Sequence, residues 1–246
     1  MTKAETIFAK ELSLIHDKDI KQFVIDCFDK LCLDYFWTCP CSTTGKYHPQ
    51  VSLGVGGLVR HTKLAVWWGL ELLRALGTSP EFKDIPPVQL WDETTATLLL
   101  HDMIKNGKGL NAQGYPLDRG VTGTHGVTLA KVIGFDAPER IFAGIACHMG
   151  IWTTDVTFRP DSIVDPTIQA FAQLIHLADY AASRKVDEIY SELTKEKNAD
   201  KVNAICKKCK EKTNGTTKIP ITEKRTPPCP GVRETESQAT TAAESQ

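Results

Sequence analysis

The run Leu98-Leu99-Leu100-His101-Asp102 ends an apolar stretch with an adjacent imidazole and carboxylate. Packing alone calls for neither group, and burying them costs free energy unless each is hydrogen-bonded or paired with a cation. Mixed nitrogen and oxygen donors suit a divalent transition metal. A single His-Asp pair arises often by chance, so the test is whether other donors recur in comparable settings. They do. His61 falls within the stripe Leu58, His61, Ala65, Trp68 and Leu72, at helical spacings of three and four. His125 opens a segment with Leu129 and Val132, and His148 closes the stripe Ile141, Gly144 and Ile145. Asp179 occupies an aliphatic position on the face Ile168, Phe171, Ala172, Ile175 and Ala182. An unpaired charge there is strongly disfavoured, so a buried Asp179 implies a cation, a polar network or a raised pKa. Five apolar segments thus deliver six donors: His61, His101 with Asp102, His125, His148 and Asp179. That exceeds the three protein ligands of an open catalytic zinc site and suits two ions sharing a bridging carboxylate and a bridging water.

The elements that must position these groups read as helices throughout. Ile7, Phe8, Leu12 and Ile15 form one amphipathic stripe, and Ile20, Phe23, Val24, Cys27, Phe28 and Leu31 a second, capped by Asp17 or Asp19. His16 and Cys27 are read there as packing or surface residues. Trp37 to Gly57 is loop chemistry, with Cys39-Pro40-Cys41, His48-Pro49 and Gly54-Val55-Gly56-Gly57. Its glycines lack the Lys-Ser/Thr ending of a phosphate-binding loop and set a sharp turn into the next helix. Cys39 and Cys41 do not have zinc-knuckle spacing and are read as ordinary thiols; His48 either lines a pocket or is solvated. The helix carrying His61 ends near Gly77, and a central helix runs from Val88 to Ile104 with Trp91, Thr95, Leu98 and Asp102 on one face. His101 lies about 100° around that axis. Lys105, one turn after His101, is placed to meet an anionic group, or else is a solvated helix-end lysine. Residues 105–123 form a glycine-rich excursion, the kind of long loop that is usually functional or mobile. Two further helices carry His125, stopped by Gly134, and His148, from about Pro138. The helix after Asp165-Pro166 carries Asp179, with His176 off its buried face.

The chain of 246 residues is long enough for one full core with appendages. A net charge of −1 provides no global electrostatic footprint for nucleic acid, and stable duplex DNA binding is not expected. No apolar run of about 18 residues suggests a membrane span. The N-terminus lacks a signal-peptide core, so the eight cysteines are expected to be reduced thiols in the cytoplasm. Cys206-Lys207-Lys208-Cys209 has the spacing of half a zinc site without a nearby second half. Residues 196–210 are read as a closing helix and 211–246, rich in Thr, Pro, Lys and Glu, as a flexible tail.

In this order the donors resemble the dinuclear branch of the HD-domain metal-dependent phosphohydrolases, over roughly residues 56–185. Gly56-Gly57-Leu58-Val59-Arg60-His61-Thr62 resembles the opening motif of the HD domain in bacterial 3′–5′ exoribonucleases of the YhaM type. His148-Met149-Gly150 and His176-Leu177-Ala178-Asp179 are similar to their counterparts there, and Ala178-Asp179-Tyr180 with Arg184 is similar to HD diadenosine-tetraphosphate hydrolases. Unlike those exoribonucleases, the chain shows no N-terminal OB-fold pattern, which argues against a long RNA substrate. The resemblance implies an all-α HD-domain bundle over residues 57–195, with residues 1–56 packed on it as an N-terminal helical extension. It further implies that His61, His101 and Asp179 bind one ion, that His125 and His148 bind the other, and that Asp102 bridges both. Iron, manganese, cobalt and zinc all suit these ligands. The implied activity is hydrolysis of a nucleotide or short oligonucleotide by a metal-bridging hydroxide, with Asp102 and Lys105 as catalytic residues. Lys105, with Arg184 or Lys185, would hold a phosphate oxygen, while the 105–123 loop and the His48 region would shape the pocket. A diiron oxygenase and a non-catalytic nucleotide-sensing module are the alternatives. The N-terminal helices offer a surface for a homo-oligomer.

Overall fold

A computed structural model describes residues 1–42, 45–105, 125–134 and 137–184. The expected 105–123 loop beyond Lys105, Lys185, the closing helix, the Cys206–Cys209 pair and the tail lie outside the described residues. The fold is all-α, as expected. Among the described residues there are eight α-helices and no strand: α1 (Lys3–Ile7), α2 (Ala9–Ser13), α3 (Lys18–Leu31), α4 (Gly57–Leu76), α5 (Pro87–Leu100), α6 (His125–Ile133), α7 (Glu139–Cys147) and α8 (Pro166–Ala182). No helix among them is long and apolar enough to cross a membrane.

The N-terminal stripe divides at Phe8 into α1 and α2 instead of forming one helix. Thr2 and Glu5 form a reciprocal capping box at its start, satisfying two backbone donors left open at a helix N-terminus. The Phe8 ring is buried against Phe28, Phe36 and Trp37, with centroids 5.3, 6.3 and 5.9 Å away. Asp17 caps α3, its Oδ1 accepting from the Asp19 and Ile20 amides at 2.8 and 3.0 Å. The turn between α2 and α3 is fastened to the core by the buried Asp92 of α5. Its carboxylate accepts from the His16 and Asp17 amides at 3.0 and 2.7 Å and lies 2.9 Å from His16 Nδ1.

The core is built around α5, whose residues from Asp92 to Leu100 are all buried. Helix α4 packs on α5 and α8, and α7 on α5, α6 and α8. The buried face of α4 includes Leu58, His61, Thr62, Ala65, Gly69 and Leu73. Trp68 and Leu72, expected on that face, are only half-buried because the contact surface turns towards Gly69, where a Cβ would collide with Leu98. α5 ends at Leu100, not at Ile104. Residues 101–105 continue as tight turns, with the Met103 amide donating to Leu100 O at 2.9 Å and the Lys105 amide to Asp102 O at 3.0 Å. Buried Glu93 ties α5 to α7 through a two-pronged pair with Arg140.

The loop before α4 is laced to its surroundings. Arg60 donates to the carbonyls of Val51, Leu53 and Val55 at 2.5, 2.7 and 2.8 Å. The amides of Gly56 and Leu58 donate to Thr38 O and Cys39 O at 2.8 and 3.1 Å. Gly56 is left-handed at φ +71°, and a Cβ on Gly57 would meet the backbone of Ser52 and Cys41. Because backbone cannot rotate out of the way, Gly57→Ala should cost a net 1–3 kcal/mol, roughly, despite alanine's better helix propensity. A thermal midpoint equal to that of the wild type would show that the loop is not clamped onto α4 in this way.

Candidate metal centre

The six donors come from five places in the bundle. His61 lies on the first turns of α4, His101 and Asp102 directly follow α5, and His125 opens α6. His148 is the C-cap of α7 and Asp179 lies near the end of α8. All six are buried, His61, His101 and His148 completely. Ligand atoms of His61, His101, Asp102 and Asp179 lie within 4.8 Å of one another, as do those of Asp102, His125 and His148. Asp102 belongs to both groups through different oxygens. Its Oδ2 is 3.3 Å from His61 Nε2 and 3.6 Å from His101 Nε2. Its Oδ1 is 2.9 Å from His125 Nε2 and 3.5 Å from His148 Nε2. Asp179 Oδ1 completes the first group, 3.0 Å from His61 Nε2 and 3.5 Å from His101 Nε2.

Two of the rings have a tautomer imposed on them. His101 Nδ1 lies 2.7 Å from Leu98 O, and His148 Nδ1 lies 2.7 Å from Ile145 O. A carbonyl only accepts, so Nδ1 carries the hydrogen and Nε2 turns a lone pair into the cluster. His101 Nε2 is buried and has no hydrogen-bond partner. With two carboxylates beside it, the centre has more acceptors than donors, and such a group is stable only with a cation or extra protons. A metal ion fits this donor set. Gly126 makes room for the His148 ring: a Cβ there would lie 2.6 Å from Ile145 O and 2.7 Å from that ring. His176, read as lying off the buried face, donates from Nδ1 to His148 O at 2.7 Å and so steadies the backbone of that donor.

The electrostatics agree. Burial pushes Asp102 and Asp179 up, but the cations and imidazoles facing them hold both well below the usual carboxylate range. For His61, burial opposes protonation, yet Cys41, Asp102 and Asp179 outweigh it and raise its pKa. For His125, burial prevails over the help of Asp102 and lowers the pKa to about 4. His125 is therefore neutral at pH 7, the state a metal ligand requires.

Comparison with protein-family models, curated proteins and solved structures found no match. The side chains around the cluster must speak for themselves. Lys105 does not reach into open solvent: its Nζ is 2.6 Å from Asp102 Oδ2 and 3.5 Å from Cys41 Sγ. His48 lies beside the centre, its ring centroid 5.6 Å from that of His61. Arg184 makes no hydrogen bond or ion pair with the six donors and instead lies 4.0 Å over the Tyr180 ring. Cys41, read as an ordinary thiol, is a buried neighbour of the centre. Its sulfur and one nitrogen each of His48 and His61 lie within 4.8 Å of one another. Burial raises its pKa, but His61 and Lys105 outweigh that and bring the thiol to about 5. Nothing in the local sequence marks this cysteine, because its neighbours arrive through the folded loop.

A fall in the His125 pKa from the ordinary 6.5 to about 4 carries a sign. Between those values the unfolded chain binds the proton and the folded chain does not, so stability is lost as pH falls through that window. The loss attributable to His125 in chelator-treated protein should approach about 3 kcal/mol. Denaturant titrations of wild type and His125→Gln between about pH 7 and pH 4 should show the wild type losing ground to the variant. Parallel curves would mean that His125 is not buried in its neutral form.

Proposed function

We propose that this chain is a metal-dependent phosphohydrolase of the HD type, acting on a phosphoester or phosphoanhydride bond of a nucleotide or short oligonucleotide. The observation that supports it best is the division of the Asp102 carboxylate between two groups of donors, one oxygen facing each. A single ion would leave one of these groups unused. In this reading His61, His101 and Asp179 hold one divalent ion, His125 and His148 hold a second, and Asp102 serves both. Iron, manganese, cobalt and zinc are compatible with the mixed nitrogen and oxygen donors.

When bound, a pair of divalent ions supplies an acidified water and offsets charge on phosphoryl oxygens. The protein's own part is orientation and charge. The Nδ1 hydrogens of His101 and His148, spent on Leu98 O and Ile145 O, keep both Nε2 atoms aimed inward without a rotamer search. Lys105, with its ammonium against Asp102, places a positive charge where a substrate phosphate oxygen would approach. His48, beside His61 and half-buried, lines the same side of the centre.

Two experiments bear on this reading. Elemental analysis of purified protein should find two divalent transition-metal ions per chain. Asp102→Ala should lose at least one of them and lower the hydrolysis rate by at least about a hundredfold, with the helical circular dichroism retained. An Asp102→Ala variant with wild-type turnover would refute the assignment. Oxygen uptake dependent on iron and an organic substrate, with no phosphate ester cleaved, would favour the oxygenase alternative.

A further inference from the structure

Beside the proposed centre lies an aromatic cluster that metal binding does not use. Trp152 and Tyr180 stack with centroids 5.5 Å apart and planes inclined by 12°. The Arg184 guanidinium lies 4.0 Å over the Tyr180 ring and 5.5 Å from the rings of Trp152 and Tyr47. These rings remain open to solvent, Tyr47 at 54%, Trp152 at 42% and Tyr180 at 39% exposure. Large rings held half in water forgo part of the stabilisation that burial brings, and their clustering on one surface is the mark of a recognition site. Among the described residues no carboxylate forms an ion pair with Arg184, and its buried Nε has no hydrogen-bond partner.

Tyr180 adjoins a donor of the centre directly, and Tyr47 and Trp152 are linked to donors through one intervening histidine each. Tyr180 follows Asp179 in α8. Tyr47 precedes His48, whose ring stands edge-on to that of His61. The Trp152 ring is 5.8 Å from that of His176, which donates to the backbone carbonyl of His148. Gly150, left-handed at φ +54°, lets the chain turn between His148 and Trp152 against His176, since a Cβ there would enter that ring.

We propose that Tyr47, Trp152, Tyr180 and Arg184 form a nucleoside-phosphate subsite of this centre. A nucleobase stacks on the solvent-open part of this cluster, and Arg184 binds a phosphate with the edge of its guanidinium. A guanidinium stacked on a ring keeps its N–H edge free, so packing on Tyr180 and hydrogen bonding to phosphate are compatible. Stacking tolerates any base and is strongest for the larger purine face, so the substrate class is nucleoside phosphates in preference to small phosphate esters. The inference rests on the phosphohydrolase reading and adds to it the residues that hold the base.

The test compares two ligands that differ by adenosine: adenosine 5′-(α,β-methylene)diphosphate and methylenediphosphonate, titrated calorimetrically into the metal-loaded full chain. The nucleotide should bind at least about tenfold more tightly. Trp152→Ala should shrink that advantage to about twofold, Trp152→Phe should keep most of it, and neither should change binding of methylenediphosphonate. Arg184→Ala should weaken both ligands. An absent advantage in the wild type, or one that survives Trp152→Ala, overturns the subsite. Hydrolysis of bis(p-nitrophenyl) phosphate, which carries no nucleoside, separates the two readings. If it is cleaved while the two ligands bind equally, only the subsite fails. If it is not cleaved and neither ligand binds, the phosphohydrolase reading fails and the subsite falls with it.

Discussion

The carboxylate of Asp102 is the constraint around which this bundle is arranged. It is buried, its oxygens face different pairs of imidazoles, and its Oδ2 also contacts Lys105. An isolated carboxylate in such a place would take up a proton or expel its helix from the core. Its partners hold it ionised instead, and those partners come from α4, α6, α7 and the turn after α5. Polar satisfaction of one group thus demands that helices distant in sequence converge to within hydrogen-bonding distance. The apolar stripes supply the energy of assembly, and the carboxylate restricts which arrangement of those stripes is acceptable.

Most of the donors occupy helix ends, and there is a physical reason. The last four carbonyls of an α-helix lack intrahelical donors. His101 follows α5 and His148 follows α7, and in each case the imidazole Nδ1 reaches the carbonyl three residues back, Leu98 O or Ile145 O. One hydrogen bond therefore satisfies an orphan carbonyl, sets the tautomer and fixes the ring orientation. A histidine inside a helix cannot use this device where the carbonyls behind it are already engaged. His61 is such a case: Leu58 O, three residues back, already accepts from Thr62 Oγ1 at 3.0 Å. Its inward nitrogen is instead oriented by Asp179 and Asp102.

The same distinction explains what could be read from the sequence. Each donor interrupts an apolar stripe, a local and periodic signal, and the structure brings those six residues together. The all-α class, the Asp17 cap of α3, the turn near Gly77 and the helix after Asp165-Pro166 were legible for the same reason. Cys41 was not, because its contact with His61 depends on a loop without periodicity that folds back through Ser52 O and Arg60. The break at Phe8 was hidden because the stripe continues across it. Lys105 carried a signal that admits two meanings: spaced three residues from Asp102, it can pair with that carboxylate or extend beyond it. The aromatic cluster was invisible in sequence, since Tyr47, Trp152 and Tyr180 come together around Arg184 only after separate segments pack.

Charge balance connects the buried cluster to its proposed occupants. Asp102 and Asp179 are ionised, Cys41 tends to the thiolate, and Lys105 and a protonated His61 offset them. Without metal, the proton on His61 and the ammonium of Lys105 perform the service of a cation. Divalent ions at the same atoms would make that proton redundant, so metal binding and proton release are linked, and affinity rises with pH until His61 is neutral. Lys105, no longer required to neutralise Asp102, would retain its charge in a region that its own pairing had kept compact. In the proposed reading, the residue that neutralises Asp102 without metal is the same one that would meet a substrate phosphate. Such a double role would account for a half-buried lysine held against a buried carboxylate, where an apolar residue would cost the fold less.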